Sequence, residues 1–219
     1  MEDRAWLTLL QLHDSAFPIG AFAHSNGLER SAELGMTPES LEAWLRVQLR
    51  LGFGRLDLAA LALSHAAVDE RDLADLADTL DAWKSVPSLR ATSLALGRRT
   101  LALARRVWPA EVARLRLEPE RCHHALVTGQ LARALDLPLR PSALAFAQGS
   151  VAAALAAATR CLPLGPERAQ ALLAGLQGDV SDAVERVLAD PRGSLWSATP
   201  AADLRAAEQP RMTSRMFES

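Results

Sequence analysis

The 219-residue sequence contains no tyrosine, only five phenylalanines and a single isoleucine, Ile19. It has 10 valines, against 42 alanines and 39 leucines. β-Strands draw on β-branched and aromatic residues, whereas alanine and leucine are strong helix formers. The composition therefore excludes a strand-rich protein and predicts an all-α fold.

Cysteine and lysine are also scarce. Cys122 and Cys161 stand alone, with no Cys-x-x-Cys spacing, which favours a reduced, cytoplasmic setting. Lys84 is the only lysine among 24 basic residues, and the formal net charge is −2. A nucleic-acid-binding domain normally carries an excess of positive charge, so this balance argues against nucleic acid as a partner.

No apolar run is long enough to predict a membrane span. The most apolar stretch, residues 143–159, includes Gln148 and Ser150 and is followed by Arg160. It falls short of the roughly 20 strongly apolar residues that cross a bilayer. We interpret it as a buried helix.

The common catalytic motifs are missing as well. The sequence has no Gly-x-x-x-x-Gly-Lys-Ser/Thr loop, no Gly-x-Ser-x-Gly turn and no His-Glu-x-x-His pair. Cys122, His123 and His124 form the one local cluster of soft metal ligands, but successive helical residues point about 100° apart. We therefore predict a non-catalytic protein with no cofactor and no metal site.

Prolines divide the sequence into helix-length segments. We predict one bundle of about eight to ten helices, with helices near residues 4–13, 21–34, 39–66, 70–84, 88–107, 120–136, 142–160 and 167–189. Gly52-Phe53-Gly54 can break the third of these, and Thr37-Pro38-Glu39 has the pattern of a helix start.

The helical domain is predicted to span residues 1–196, followed by a C-terminal tail, residues 197–219. The tail holds two prolines and few apolar residues, so we expect it to be mobile in the free protein and to fold on a partner. Phe217 is a candidate anchor and Arg215 a candidate ion-pair donor for that contact. The alternative is an ordered tail packed on its own domain.

Two segments predict close approach by another element. In the 88–107 helix, Ser93, Gly97, Thr100 and Ala104 form a stripe of small residues, which suits either a docked partner or tight core packing. In the segment 17–29, Gly27 falls inside a predicted helix, where glycine costs about 1 kcal/mol relative to alanine. A partner surface and a tight internal crossing both remain open for Gly27.

Residues 17–29 read Phe-Pro-Ile-Gly-Ala-Phe-Ala-His-Ser-Asn-Gly-Leu-Glu. This segment resembles the N-terminal signature of the urease accessory protein F (UreF) family. The resemblance continues in residues 89–99, in residues 161–165 and in the final Ser-Arg-Met-Phe-Glu-Ser. The four matches occur in the family's order and span nearly the whole sequence. Two segments depart from the pattern: Glu218 stands where the family often has arginine, and residues 197–209 match only loosely.

The resemblance implies an all-helical, cytoplasmic, non-catalytic chaperone that forms a homodimer. It implies that the protein bridges a UreD/UreH homologue and the GTPase UreG, so that nickel passes into apo-urease without resting in this protein. It also implies a partner-binding or dimer surface at Phe17, Pro18, Gly20, Phe22, His24, Ser25, Gly27, Glu29, Arg90, Ser93, Gly97 and Arg98, and C-terminal docking through Ser214, Arg215, Met216 and Phe217. The alternative is an all-α ligand-binding or regulatory module unrelated to urease.

Overall fold

The computed structural model describes residues 2–113, 115 and 117–219, and these contain no β-strand. The α-helices of this part of the chain are α1 Asp3–Leu12, α2 Leu28–Glu33, α3 Pro38–Leu51, α4 Leu56–Ala66, α5 Glu70–Trp83, α6 Pro87–Val107, α7 Pro109–Val112, α8 His124–Ala134, α9 Leu139–Cys161, α10 Pro166–Gly175, α11 Gln177–Ala189 and α12 Pro200–Glu208. Short 3₁₀ helices cover Ala21–Ala23, Pro119–Arg121 and Gln209–Arg211. The predicted all-α, single-domain fold is confirmed.

The helix starts follow local capping chemistry. The Thr37 hydroxyl accepts from the Ser40 N–H at 3.3 Å, and the Ser40 hydroxyl accepts from the Thr37 N–H at 2.9 Å, a reciprocal capping box at the start of α3. The Asp69 carboxylate accepts from the Asp72 N–H at 2.8 Å and begins α5 in the same way. The turn at Gly52 separates α3 from α4, as the two glycines predict.

The extents of three predicted helices are wrong. The predicted 21–34 helix is a 3₁₀ turn and the short α2, because Asn26 and Gly27 between them have positive φ. The predicted 167–189 helix ends at Gly175 and restarts at Gln177, and the predicted 120–136 helix begins only at His124. α12 lies in the tail, where no helix is predicted.

The core surrounds α8 and α9. α8 packs most extensively on α4 and α6, while α9 contacts α2, α4, α8, α10 and α11. Buried leucines of α3 and α4 join α9 and α11 in one apolar cluster, and a second cluster joins α1, α6 and α8. By length and composition alone, α9 is the one helix among the described residues that could cross a membrane, although the sequence predicts no such run. Its Phe146, Val151 and Leu155 side chains are buried against neighbouring helices.

One buried ion pair ties α4 to the end of α5. The Lys84 ammonium lies 2.9 Å from the Asp57 carboxylate, and both side chains are mostly buried. Because a buried charge is costly without a partner, this pair fixes how the two helices meet.

Candidate functional site

The segment 17–29 forms a compact loop that leads into α2. Phe17 is buried and stacks on Trp108, with ring centroids 6.1 Å apart. Pro18 is exposed, the Arg99 side chain lies against Gly20, and Phe22 is 77% exposed. Asn26 and Gly27 then adopt φ values of 53° and 87° and turn the chain into the helix. Two successive left-handed residues cannot lie within an α-helix, which is why the predicted 21–34 helix is interrupted.

Gly27 lies at an internal crossing. A Cβ at this position would lie 2.6 Å from the backbone nitrogen of Ala206 in α12. The Ser31 hydroxyl donates to the Gly27 carbonyl at 3.0 Å and holds the turn from the other side. The structure thus places Gly27 inside the protein, as the internal-crossing alternative requires.

Glu29 holds the C-terminal tail. The residue is 5% exposed, and its carboxylate accepts the backbone N–H groups of Met216 at 2.6 Å and Phe217 at 3.4 Å. The Gln209 amide donates to the same carboxylate at 3.2 Å. Gln209 in turn accepts from the Ser25 hydroxyl at 3.0 Å and from the Gly27 N–H at 2.9 Å. This network joins the two segments that match the family most specifically.

Ser219 sits against the same loop. The N–H groups of Ser25 and Asn26 donate to its main-chain oxygen at 2.5 and 3.0 Å. Its hydroxyl lies 2.9 Å from Nδ1 of His24 and 2.7 Å from the hydroxyl of Thr92 on α6. Burial lowers the pKa of His24, an effect that Glu218 opposes and Arg99 reinforces. The neutral imidazole is thereby favoured beside Ser219.

Phe217 is packed on its own domain. The residue is 4% exposed, and the Arg160 guanidinium lies 4.2 Å from its ring centroid. Arg160, at the end of α9, also donates to the Phe22 carbonyl at 3.1 Å and so contacts both the loop and the tail. Ser214, Arg215 and Met216 remain exposed.

The expectation of a mobile tail is therefore corrected. Residues 200–219 form α12, a 3₁₀ turn and a docked end, as the alternative of an ordered tail describes. The tail has few apolar side chains, but its end is also held by hydrogen bonds to Glu29, Ser25 and Asn26, which apolar content does not predict. Phe217 is not free to anchor a partner while the tail is docked.

The stripe on α6 faces inward. The Ser93 hydroxyl lies 3.1 Å from Nδ1 of His123, and Gly97 packs against the carbonyl of Cys122. Tight core packing thus accounts for both residues, and neither is accessible to a partner. Arg98 is exposed, and Arg90 lies 3.9 Å from the Asp81 carboxylate.

The structure connects a serine, a histidine and an aspartate in one line of hydrogen bonds that the sequence does not predict. Nε2 of His123 lies 3.1 Å from Asp81, while Nδ1 faces Ser93. Burial lowers the pKa of His123, Lys84 adds to this, and Asp81 opposes it. Ser93 and His123 are buried, whereas the Asp81 side chain is 40% exposed. The line therefore acts as a polar tie between α5, α6 and the residue that precedes α8.

Cys122, His123 and His124 point in different directions. The Cys122 thiol donates to the Glu118 carbonyl at 3.2 Å, and burial raises its pKa. The His124 ring packs against Phe146, with centroids 5.3 Å apart. Within the described part of the chain, no group of three or more His, Cys, Asp or Glu side chains could hold a metal ion.

Comparison with known proteins gives one answer. The sequence model of the UreF family matches residues 36–177. A protein of Paracoccus denitrificans named urease accessory protein UreF is 35% identical over 221 residues, covering 99% of this chain and 97% of that protein. Proteins of the same name from Methylorubrum populi and Kocuria rhizophila are 34% and 32% identical; the matches cover 98% and 97% of this chain and 96% of each relative.

The matches to these relatives cover nearly the whole chain and so reach well beyond residues 36–177. They leave no support for a helical module unrelated to urease. The chain belongs to the UreF family of urease accessory proteins.

Proposed function

We propose that the protein is a non-catalytic, cytoplasmic scaffold for urease maturation that bridges a UreD/UreH homologue and the GTPase UreG. In this role it forms a homodimer and brings the partners together, so that nickel reaches apo-urease without a resident site in this chain. Family membership supports the urease connection. The observation that carries the scaffold role is the joining of the 17–29 loop and the tail into one ordered surface.

The outer side of that joint presents residue types that dominate protein interfaces. Phe22 is 77% exposed and Met216 is 51% exposed, and Arg215 stands beside Met216. The Glu218 N–H donates to the Ala23 carbonyl at 2.8 Å, which fixes the two segments relative to each other. This hydrogen bond, with that from the Met216 N–H to Glu29, holds the backbone under Phe22 and Met216 in place, so ordering the two side chains on a partner costs less entropy than ordering a free tail. We assign the UreD/UreH contact to this surface.

Co-purification tests the assignment. The UreD/UreH homologue is captured with the wild-type chain, and UreG is then added to ask whether all three elute together. Phe22→Ala should weaken capture at least tenfold because it removes an exposed aromatic ring. Val68→Ala is the matched control, since Val68 is 78% exposed in another part of the molecule. Equal capture by both variants contradicts the assignment.

The homodimer is proposed to form through α1. Trp6, Leu7 and Leu10 are exposed on one side of this helix, while Leu9 and Leu12 are buried on the other. An apolar helix face without a partner in the monomer is typical of an interface. Leu7→Arg should convert a dimer into a monomer in sedimentation velocity, whereas Leu204→Arg on α12 should leave it dimeric. A dimer that persists in Leu7→Arg places the interface elsewhere.

A further inference from the structure

Residues 216–219 of the tail lie in a groove formed by residues 23–29, Thr92 and Arg160, which we name the tail groove. Much of the recognition is directed at the tail backbone. Glu29 accepts two N–H groups of the tail, the Ala23 carbonyl accepts a third, and the N–H groups of Ser25 and Asn26 donate to Ser219. Such a groove recognises the backbone of an extended peptide more than the identity of each side chain.

Two tail side chains are also recognised. The Phe217 ring is buried under the Arg160 guanidinium, and the Ser219 hydroxyl meets His24 and Thr92. The side chains between and before them are not enclosed: Met216 is 51% exposed, and the Glu218 side chain is 67% exposed. The recognised pattern is therefore a phenylalanine followed, two positions later, by a hydroxyl residue.

Residues other than 216–219 hold the groove in shape. Gln209 bonds to Glu29, Ser25 and Gly27 at once, and Ser31 bonds to the Gly27 carbonyl. By contrast, Thr213, Ser214 and Arg215, which lead into the groove, are exposed and make no hydrogen bond to another described residue. A preformed site is thus filled by a segment on an unsupported tether.

We propose that the tail groove is a peptide-recognition site for an extended Phe-x-Ser segment of a partner protein, and that residues 216–219 are its tethered competitor. The resident segment shows what chemistry the groove accepts. A tether of a few residues gives the tail an effective concentration of about 1 mM, so a partner segment binds well only when the tail is displaced or weakened.

Competition in the full-length protein tests this proposal. The probe is a fluorescent peptide with the sequence of residues 212–219, followed by anisotropy. The Phe217→Ala chain loses the anchor of its own tail but keeps the groove, so the peptide should bind it at least tenfold more tightly than it binds the wild type. The Thr213→Ala chain is the matched control and should bind like the wild type, since Thr213 is exposed and precedes the residues that occupy the groove.

Two further variants establish where the peptide binds. Adding Glu29→Gln to the Phe217→Ala chain should remove the gained affinity, and a peptide carrying Phe217→Ala should not bind. Ser219→Ala, a milder change, should raise peptide affinity at least threefold even if Phe217→Ala disturbs folding. Equal peptide affinity for the wild type and both tail variants, or binding that survives Glu29→Gln, overturns the proposal.

Discussion

The carboxylate of Glu29 accepts the backbone N–H of Met216 at 2.6 Å, although the two residues are 187 positions apart. The Phe217 N–H and the Gln209 amide also donate to this carboxylate, so Glu29 holds both the end of the tail and the 3₁₀ turn before it.

Glu29→Gln should destabilise the protein by about 2 kcal/mol. The new amide group turns a donor toward N–H groups that need an acceptor, and unsatisfied buried donors cost about 1–3 kcal/mol each. For a chain of this size the melting temperature should fall by roughly 4–8 °C. Glu33→Gln, on the same helix but half-exposed and paired with Arg30, should change it by less than 2 °C. Equal shifts in both variants contradict the role of Glu29.

Phe217→Ala and Met216→Ala should differ sharply in hydrogen exchange. Loss of a buried aromatic side chain costs about 3–5 kcal/mol, whereas truncation of an exposed residue usually costs less than about 0.5 kcal/mol. Deuterium uptake in residues 22–30 should therefore rise strongly in Phe217→Ala and stay unchanged in Met216→Ala. For the same reason, deletion of residues 197–219 should lower the melting temperature. If the tail were mobile, Phe217→Ala would leave deuterium uptake unchanged and the deletion would leave the melting temperature unchanged.

Gly27→Ala should be more damaging than Gly35→Ala. Both glycines have positive φ, 87° and 91°, so both variants carry a backbone strain of about 1 kcal/mol. Only at Gly27 does the added Cβ meet backbone, at 2.6 Å from Ala206 N, whereas nothing lies within 4 Å at Gly35. Urea unfolding should show at least 2 kcal/mol more destabilisation for Gly27→Ala. Equal losses indicate that α12 does not pack on Gly27.

Stability should fall as the pH drops below 6.5. Burial lowers the pKa of His13 to about 4, and neighbouring His124 adds to this. Burial also lowers the pKa of His124 to about 4, where Asp57 opposes the shift and Lys84 adds to it. Above pH 6.5 both histidines are neutral in the folded and unfolded states, so their titration does not lower the free energy of unfolding. Between pH 6.5 and 4 the unfolded chain takes up protons that the folded chain does not.

Each histidine then contributes up to about 1.4 kcal/mol per pH unit to the loss of stability. Urea midpoints measured from pH 7.5 to 4.5 should show this slope. His13→Gln should reduce it by up to one proton equivalent. An unchanged slope in the variant shows that His13 does not titrate as described.

The sequence predicts elements whose signals are local. Thr37-Pro38 marks the start of α3, and Gly52 marks its end, because capping and chain reversal depend on neighbouring residues. The break between α10 and α11 follows Gly175, but the leucines around it keep the helical spacing, and this periodicity predicts one continuous helix.

The candidate site was predictable only in pieces. The 17–29 segment and the final six residues stand out separately, but their meeting depends on hydrogen bonds such as that between Ser25 and Ser219, which span almost 200 positions. The polar line through Asp81, Ser93 and His123 escaped notice for the same reason. The prediction of a mobile tail rests on apolar content alone, which takes no account of the backbone N–H groups that the buried Glu29 carboxylate accepts.

The ion pair between Lys84 and Asp57 has a practical consequence for labelling. Because the sequence has no other lysine, an amine-reactive reagent has a single side-chain target, and that target is mostly enclosed. Acylation of Lys84 must wait until the end of α5 separates from α4. The rate of that modification therefore reports how often this helix junction opens, and lysine crosslinkers will miss other surfaces of the protein in its complexes.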